Sequence, residues 1–143
     1  NMGTIIRTAD AAGADAVILS KGCVDIYNPK TVRSTMGSLF HIPLIKVEDS
    51  RETLLYLKQR GIQILSSELS SDMYYFEVNM KQGVSIIIGN EAKGVSREVA
   101  ELSDYRVKIP MRGGAESLNA GVASGILMYE VVKQRLGKNL SVK

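Results

Sequence analysis

The sequence predicts an α/β domain with a mostly parallel sheet flanked by helices. Strand-like and helix-like patterns alternate throughout its 143 residues, which is typical of parallel strands joined by helices. The composition, with 45% hydrophobic and 23% charged residues, is that of an ordinary globular domain. A chain of this length suits one domain and can bury a core without disulfide or metal cross-links.

The first part of the chain contains three predicted helices and two predicted strands. They are a helix over 3–12, a strand over 16–19, a helix from 28 to about 36, a strand over 43–47 and a helix from 49 to 61. Gly13 ends the first helix. Asn28 caps the second, with Pro29 in its first turn. Asp49 and Glu52 form a capping box for the third.

The second part contains three predicted strands and two predicted helices. The strands are 62–65, 84–88 and 106–109, and the helices run from 96 to 102 and from about 118 to 136. Strand 84–88 is the most apolar, so we expect it in the centre of the sheet. The polar tail 137–143 is expected to fray.

The last predicted helix is apolar on almost every side. Its first stripe is Leu118, Val122, Ile126, Tyr129 and Val132, and its second is Ala120, Ala123, Leu127 and Val131. Before Lys133 only Glu130 is charged. Gly121, Ala123, Ser124 and Gly125 would let another backbone come close. We therefore expect this helix to pack on its own sheet and on a second subunit.

Several functional classes are disfavoured by composition. The single Cys23 excludes an internal disulfide and fits a reducing compartment. Cys23 and the only histidine, His41, cannot build a metal cluster by themselves, so no metal is expected. No apolar run is long enough for a membrane span and no signal peptide is visible, which favours the cytoplasm. The net charge of +3 permits a polyanionic partner without requiring one.

Two of three informative segments are 1–9 and 89–94. Arg7 lies on an otherwise apolar helix, where burial of its charge would require an anionic partner. The alternative is a surface arginine that lays its aliphatic part on the protein and keeps its charge in water. Segment 89–94 follows strand 84–88, where parallel sheets bind ligands. It lacks the Gly-Lys-Ser/Thr ending of a P-loop and the glycine spacing of a dinucleotide-binding motif. The alternative to a ligand-binding loop is a turn with a purely structural role.

The third segment, 109–119, combines a strand end, a Gly-Gly loop and the start of the last helix. Ser117 or Asn119 is expected to open that helix, whose free N–H groups can bind polar ligand atoms. The alternative for Ser117 is a simple helix cap.

Together the three segments resemble the motifs of the SpoU family of the SPOUT class of methyltransferases. The first motif, Asn-x-Gly-x-x-x-Arg-x-Ala, is matched by Asn1, Gly3, Arg7 and Ala9. The second, Gly-x-Glu-x-x-Gly, is matched by Gly89, Glu91 and Gly94. The third is matched by Ile109, Pro110, Met111, Ser117, Leu118 and Asn119. The motifs occur in family order across almost the whole chain, which argues against agreement by chance.

The resemblance implies a C-terminal trefoil knot and a homodimer formed through the last helix and the motif-one helix. It implies S-adenosylmethionine as cofactor and a ribose 2′-hydroxyl of RNA as substrate. Segment 27–38 favours ribosomal over transfer RNA by family analogy. A non-catalytic RNA-binding or ribosome-assembly protein is an alternative, and a nucleotide-binding oxidoreductase is disfavoured. Similar full-length proteins often carry an N-terminal RNA-binding domain, so we expect that domain and a first strand to be missing upstream.

The resemblance also implies roles for individual residues. The cofactor is expected to be held by Leu65, Ser66, Ile88, Gly89, Ile109, Met111, Ser117 and Leu118. Arg7 is expected to clamp a phosphate and stabilise the developing alkoxide, because guanidinium stays protonated. Asn1, Glu91, Ser117 and Asn119 are expected to hold the loops and Arg7 in register, with Glu91 orienting Asn1 or Arg7. Candidate RNA contacts are Lys30, Arg33, Lys93, Arg97 and Arg112, although each alone is more often a solvated surface charge.

Overall fold

The computed structural model describes residues 1–23 and 25–137, so most of the tail expected to fray lies outside the described residues. Its helices are α1 (Met2–Ala11), α2 (Pro29–Thr35), α3 (Ser50–Gln59), α4 (Arg97–Leu102) and α5 (Ala120–Leu136). Its strands are β1 (Val17–Leu19), β2 (Leu44–Lys46), β3 (Gln63–Ser67), β4 (Met73–Tyr74), β5 (Val84–Ile87) and β6 (Tyr105–Lys108). Short 3-10 helices cover Ser38–Phe40 and Tyr75–Glu77. The predicted fold class, parallel strands flanked by helices, is confirmed.

Three helices begin where their predicted caps place them. Asn28 accepts a hydrogen bond from the Lys30 N–H, Asp49 from the Glu52 N–H, and Ser96 from the Val99 N–H. These side chains satisfy backbone donors that the first turn of a helix leaves free. The start of α5 differs slightly, because Asn119 is its cap and the helix begins at Ala120.

All strand pairs are parallel, but the predicted central position of β5 is wrong. β1 pairs with β2, and the other strands form a sheet in the order β4-β6-β3-β5. β5 is an edge strand of that described sheet, and each of its residues is partly exposed. β3 is central, with Ile64, Leu65 and Ser66 buried. The Ser66 hydroxyl can be buried there because it donates to a Glu68 carboxylate oxygen at 2.8 Å.

The core consists of two apolar clusters. One contains Ile6, Ala9, Leu19, Ile26 and Ile42, and the other contains Leu65, Val78, Met80, Val107 and Leu127. Since Leu127 belongs to the second cluster, α5 packs on the sheet, as predicted. The small residues of α5 also let another helix come close, and that helix is α1 of the same chain. A Cβ added at Gly121 would lie 3.1 Å from Thr4 Cγ2, and one at Gly125 would lie 3.6 Å from Thr8 Cγ2.

Two further expectations concern the chain as a whole. The trefoil knot implied by the resemblance stays a prediction. Within residues 1–23 and 25–137, no helix combines the length and the apolarity that crossing a membrane requires.

Candidate functional site

An open cleft of about 660 Å³ lies beyond the carboxyl ends of β3, β5 and β6, beside the start of α5. This is where open parallel sheets place their ligands. Its walls come from four stretches of chain: 67–70, 88–95, 108–111 and 117–123. Two of the three motif segments therefore face one cavity.

The wall formed by 89–94 is a tightly closed loop. Asn90 and Gly94 exchange two backbone hydrogen bonds, with N–O distances of 3.1 and 2.7 Å. The Asn90 side chain also accepts from the Ala92 and Lys93 N–H groups at 2.8 and 3.2 Å. Gly89 lies directly against this closure, since an added Cβ would be 2.4 Å from the Gly94 carbonyl carbon. Only glycine at position 89 lets the loop fold back on its strand so closely.

The opposite wall carries apolar side chains from the third motif. Ile109 and Met111 follow β6 and are half-buried, and Leu118 precedes the first turn of α5. Ser117 lines the cleft beside Leu118 and is exposed. Of the residues expected to hold a cofactor, Ile88, Gly89, Ile109, Met111, Ser117 and Leu118 line the cleft.

Leu65 and Ser66, the other two expected cofactor residues, do not line the cleft. Both side chains are fully buried in β3 and are absent from the residues that line the cavity. The chain enters the cleft wall only from Ser67 onward. The cofactor contact expected of Leu65 and Ser66 stays a prediction.

A chain of hydrogen bonds joins the three motifs. The Asn119 side-chain N–H donates to the side-chain amide oxygen of Asn1 at 2.8 Å. The Asn1 side-chain N–H in turn donates to a Glu91 carboxylate oxygen. We expected Glu91 to orient Asn1 or Arg7. In the structure it contacts Asn1 of the same chain. Because Asn119 also caps α5 and Glu91 lies in the closed loop, Asn1 fixes the start of α1 against both walls of the cleft.

Arg7 lies apart from this polar chain. It is on the exposed face of α1 with Thr4 and Ala11, and it does not line the cleft of its own chain. Its Cα is about 9 Å further along the helix than Asn1, at 1.5 Å per residue. Among the described residues, its guanidinium forms no salt bridge. An outward-facing arginine without an internal ion pair is available to an external anion.

The candidate RNA contacts are distributed over several surfaces. Lys93 lines the cleft, while Lys30 and Arg33 are exposed on α2 and Arg112 is exposed in the Gly-Gly loop. Arg97 is also exposed but pairs with Glu101 at 3.0 Å, so part of its charge is already compensated.

Sequence reasoning missed two charged residues in the cleft, Glu68 and Lys108. Glu68 follows β3 directly, and Lys108 is the last residue of β6. A search for the first charged side chain at the carboxyl end of each parallel strand would have found both. Within the described chain, no group of three His, Cys, Asp or Glu side chains is placed to hold a metal ion.

Comparisons with known proteins agree with these features. A family model described as the SpoU rRNA Methylase family matches residues 1–129. The 23S rRNA (guanosine(2553)-2'-O)-methyltransferase RlmP of Bacillus subtilis (strain 168) is 41% identical over 131 residues, which are 92% of this chain and 52% of that protein. A 23S rRNA (uridine(2479)-2'-O)-methyltransferase of Streptomyces viridochromogenes is 39% identical over 141 residues, covering 95% of this chain and 49% of that protein.

A solved structure is similar at the level of the fold. The SpoU methyltransferase AviRb from Streptomyces viridochromogenes, in complex with the cofactor AdoMet, matches with a TM-score of 0.88 and 38% identity. The match covers 94% of this chain and 55% of that one. The chain thus spans about half the length of these relatives. By the family match over residues 1–129 and by its identity to these relatives, the chain belongs to the SpoU rRNA methylase family.

Proposed function

We propose that this chain is the catalytic domain of an S-adenosylmethionine-dependent RNA methyltransferase that methylates a ribose 2′-hydroxyl of ribosomal RNA. The observation that carries the proposal is the hydrogen-bonded chain Glu91–Asn1–Asn119, which connects all three motifs beside one cleft. Ribosomal RNA is preferred to transfer RNA because both named relatives act on 23S rRNA. A cytoplasmic location, where ribosomes are assembled in bacteria, goes with this substrate.

The cleft fits S-adenosylmethionine in size and chemistry. Its volume of about 660 Å³ is within the ~300–1,000 Å³ range of small-molecule sites. Ile88, Ile109 and Leu118 offer apolar surface for the adenosine and the methionine chain. Backbone groups of the closed loop line the same cleft, and the Glu68 carboxylate provides a negative charge for the cationic cofactor. When bound, the cofactor supplies a methyl group on a positively charged sulfur.

The protein must then orient the ribose hydroxyl behind the methyl–sulfur bond and accommodate one proton. The rigid walls of the cleft provide the orientation. Arg7 provides a positive, bidentate donor that holds the neighbouring phosphate and stabilises the alkoxide as it forms. Since guanidinium keeps its protons, the phosphate or a water takes the proton from the hydroxyl.

A homodimer accounts for the distance between Arg7 and the cleft of its own chain. Leu118, just before the cap of α5, starts an exposed apolar stripe that continues on the helix with Val122, Tyr129 and Leu136. A second copy packed on this stripe and on α1 would bury it and bring Arg7 of one protomer toward the cleft of the other. Dimerisation is therefore part of the proposal, and sedimentation of the purified chain tests it directly.

The main experiment measures methyl transfer from isotope-labelled S-adenosylmethionine to purified 23S rRNA and, in parallel, to bulk tRNA. We expect incorporation into 23S rRNA at a ribose 2′-oxygen. Arg7→Lys should lose most of its turnover, because lysine is a point charge without the bidentate fork. Near-full turnover of that variant would contradict the clamp. Absence of cofactor binding by calorimetry would contradict the proposal as a whole.

A further inference from the structure

The surface around α2 exposes an unusual amount of apolar side chain. Among the large hydrophobic side chains of the described residues, the three most exposed are Phe40 at 81%, Met36 at 72% and Tyr27 at 67%. All three lie in segment 27–40. Single exposed apolar residues are common on protein surfaces. A concentration of the most exposed apolar side chains on one short segment indicates an interaction site.

The local structure holds these side chains outward together with two cations. Thr31 and Thr35 are buried, whereas Lys30 and Arg33 are exposed. Lys30 and Arg33 are three residues apart on α2 and are therefore neighbours on its surface. Tyr27 directly precedes the helix cap Asn28, and Met36 is the C-cap residue. With Phe40 they form a surface that we call the α2 ridge: Tyr27, Lys30, Arg33, Met36 and Phe40.

The turn after α2 is built in an unfavourable backbone conformation. Met36 has a φ of 52° and is the only described non-glycine residue with a positive φ. Gly37, with a φ of 91°, continues the turn into the 3-10 helix Ser38–Phe40. There Leu39 is buried and Phe40 is exposed. Non-glycine residues held in this region are concentrated at functional sites, and here the turn keeps Met36 and Phe40 in solvent.

The charges around the α2 ridge favour an anionic partner. Residues 26–47 contain Lys30, Arg33 and Lys46 and no aspartate or glutamate. Two acidic groups near its border make contacts within the protein. Asp25 accepts from the Tyr27 N–H at 2.9 Å, and Asp10 lies 3.4 Å from His41 Nδ1. Aromatic side chains beside basic ones can bind single-stranded nucleic acid, with bases stacked on rings and phosphates on cations.

The α2 ridge is fixed relative to Arg7. α1 and α2 touch at Gly3, where an added Cβ would lie only 3.0 Å from the Thr31 carbonyl oxygen and closer still to the Ser34 side chain. Such close contact leaves little freedom for one helix to move against the other. A strand of RNA whose phosphate is held at Arg7 can therefore continue onto a surface of defined position.

We propose that the α2 ridge binds a single-stranded segment of the RNA substrate next to the methylated nucleotide. Bases stack on Phe40 and Tyr27, and phosphates contact Lys30 and Arg33. This inference rests on the proposed function in that the substrate is RNA, but it concerns binding alone and does not require methyl transfer.

The sequence contains no tryptophan, so a single introduced tryptophan reports on its own position. In Phe40→Trp we expect the indole emission to be quenched on titration with a single-stranded oligouridylate of about 12 nucleotides, a length within known single-strand site sizes. A duplex of the same length should quench it less. The matched control is Tyr56→Trp, because Tyr56 is an aromatic residue on α3 that is 53% exposed.

Alanine variants test the contribution to affinity. Phe40→Ala and Tyr27→Ala should each weaken oligouridylate binding about tenfold, whereas Tyr56→Ala should not. Arg33→Gln should reduce the salt dependence of binding, and the exposed Arg51 of α3 provides the control Arg51→Gln. Equal affinities of Phe40→Ala, Tyr27→Ala and the wild-type chain would overturn the inference.

Two further measurements separate the possible failures. If Phe40→Ala changes the sedimentation coefficient of the protein alone while RNA affinity stays constant, the α2 ridge is a contact between copies and the inference is wrong. Binding of S-adenosylmethionine, measured by calorimetry, should be the same in all these variants. If the wild-type chain binds no cofactor but oligouridylate still quenches the emission of Phe40→Trp, the proposed function is wrong. RNA binding by the α2 ridge is then still supported.

Discussion

Replacing Gly89 by alanine tests whether the closed loop forms the cofactor wall. The added Cβ would lie 2.4 Å from the carbonyl carbon of Gly94, 2.5 Å from the Val95 nitrogen and 2.8 Å from the Gly94 oxygen. Ordinary contacts begin near 3.4 Å, so the overlap with the first atom is about 1 Å. These are backbone atoms, which cannot rotate away as a side chain can. The loop must therefore move.

The cost follows from what the movement breaks. The φ of Gly89 is not positive, so alanine suffers no intrinsic backbone penalty and the effect is steric. Overpacking of this kind costs about 1–3 kcal/mol. Each of the two hydrogen bonds between Asn90 and Gly94 contributes a further ~0.5–1.5 kcal/mol if lost. We expect a total of about 2–6 kcal/mol, which corresponds to a decrease in Tm of roughly 10–20 °C for a domain of this size.

Thermal unfolding and calorimetric titration with S-adenosylmethionine are the appropriate assays. Gly89→Ala should lower Tm by that amount and weaken cofactor binding at least tenfold, since the loop is one wall of the cleft. Gly113→Ala is the matched control, because a Cβ there meets no atom within 4 Å and its φ is not positive. If Gly89→Ala has the Tm and the cofactor affinity of Gly113→Ala, the reasoning about the closed loop is refuted.

Three other substitutions have defined outcomes. Asn119→Asp keeps an acceptor for the α5 cap but removes the donor to Asn1; we expect Tm within about 2 °C of wild type and methyl transfer at least tenfold slower, whereas a full-rate variant would contradict the role of the polar chain. Gly3→Ala should destabilise the protein by about 1–3 kcal/mol in urea, and Ser34→Gly should partly rescue it by vacating the space that the methyl group needs; no rescue would place the strain elsewhere. Val122→Glu, on the exposed stripe of α5, should abolish dimers in sedimentation and leave the monomer folded; an unchanged sedimentation coefficient would exclude the stripe from any interface.

The helices could be predicted from the sequence because their signals are local. Asn28, Asp49 and Ser96 each satisfy a backbone donor two or three residues away, and such a pattern is visible in a short window. The position of β5 could not be predicted in the same way. Its apolar run indicates burial, but strand order depends on which distant segments pair, and β3 became central despite its serines.

The site was predictable as a set of motifs but not as a geometry. The sequence predicted that the motif segments belong together, whereas the bonds of Asn1 to Glu91 and Asn119 join residues 90 and 118 positions apart. Leu65 and Ser66 were placed at the site by resemblance alone, although their side chains are buried in β3 and do not line the cleft. The exposure of Phe40 depends on the left-handed turn at Met36, which has no local sequence signal.

The hydrogen bond between Asn1 and Asn119 also determines when the cleft can exist. It closes a loop of 118 residues, and the entropy of such a closure must be compensated by packing that is already in place. Contacts so distant in sequence form late and slow folding. During synthesis Asn1 therefore lacks its contact with Asn119 until the start of α5 has left the ribosome. A nascent chain that lacks the final helix should have neither a finished cavity nor affinity for the methyl donor.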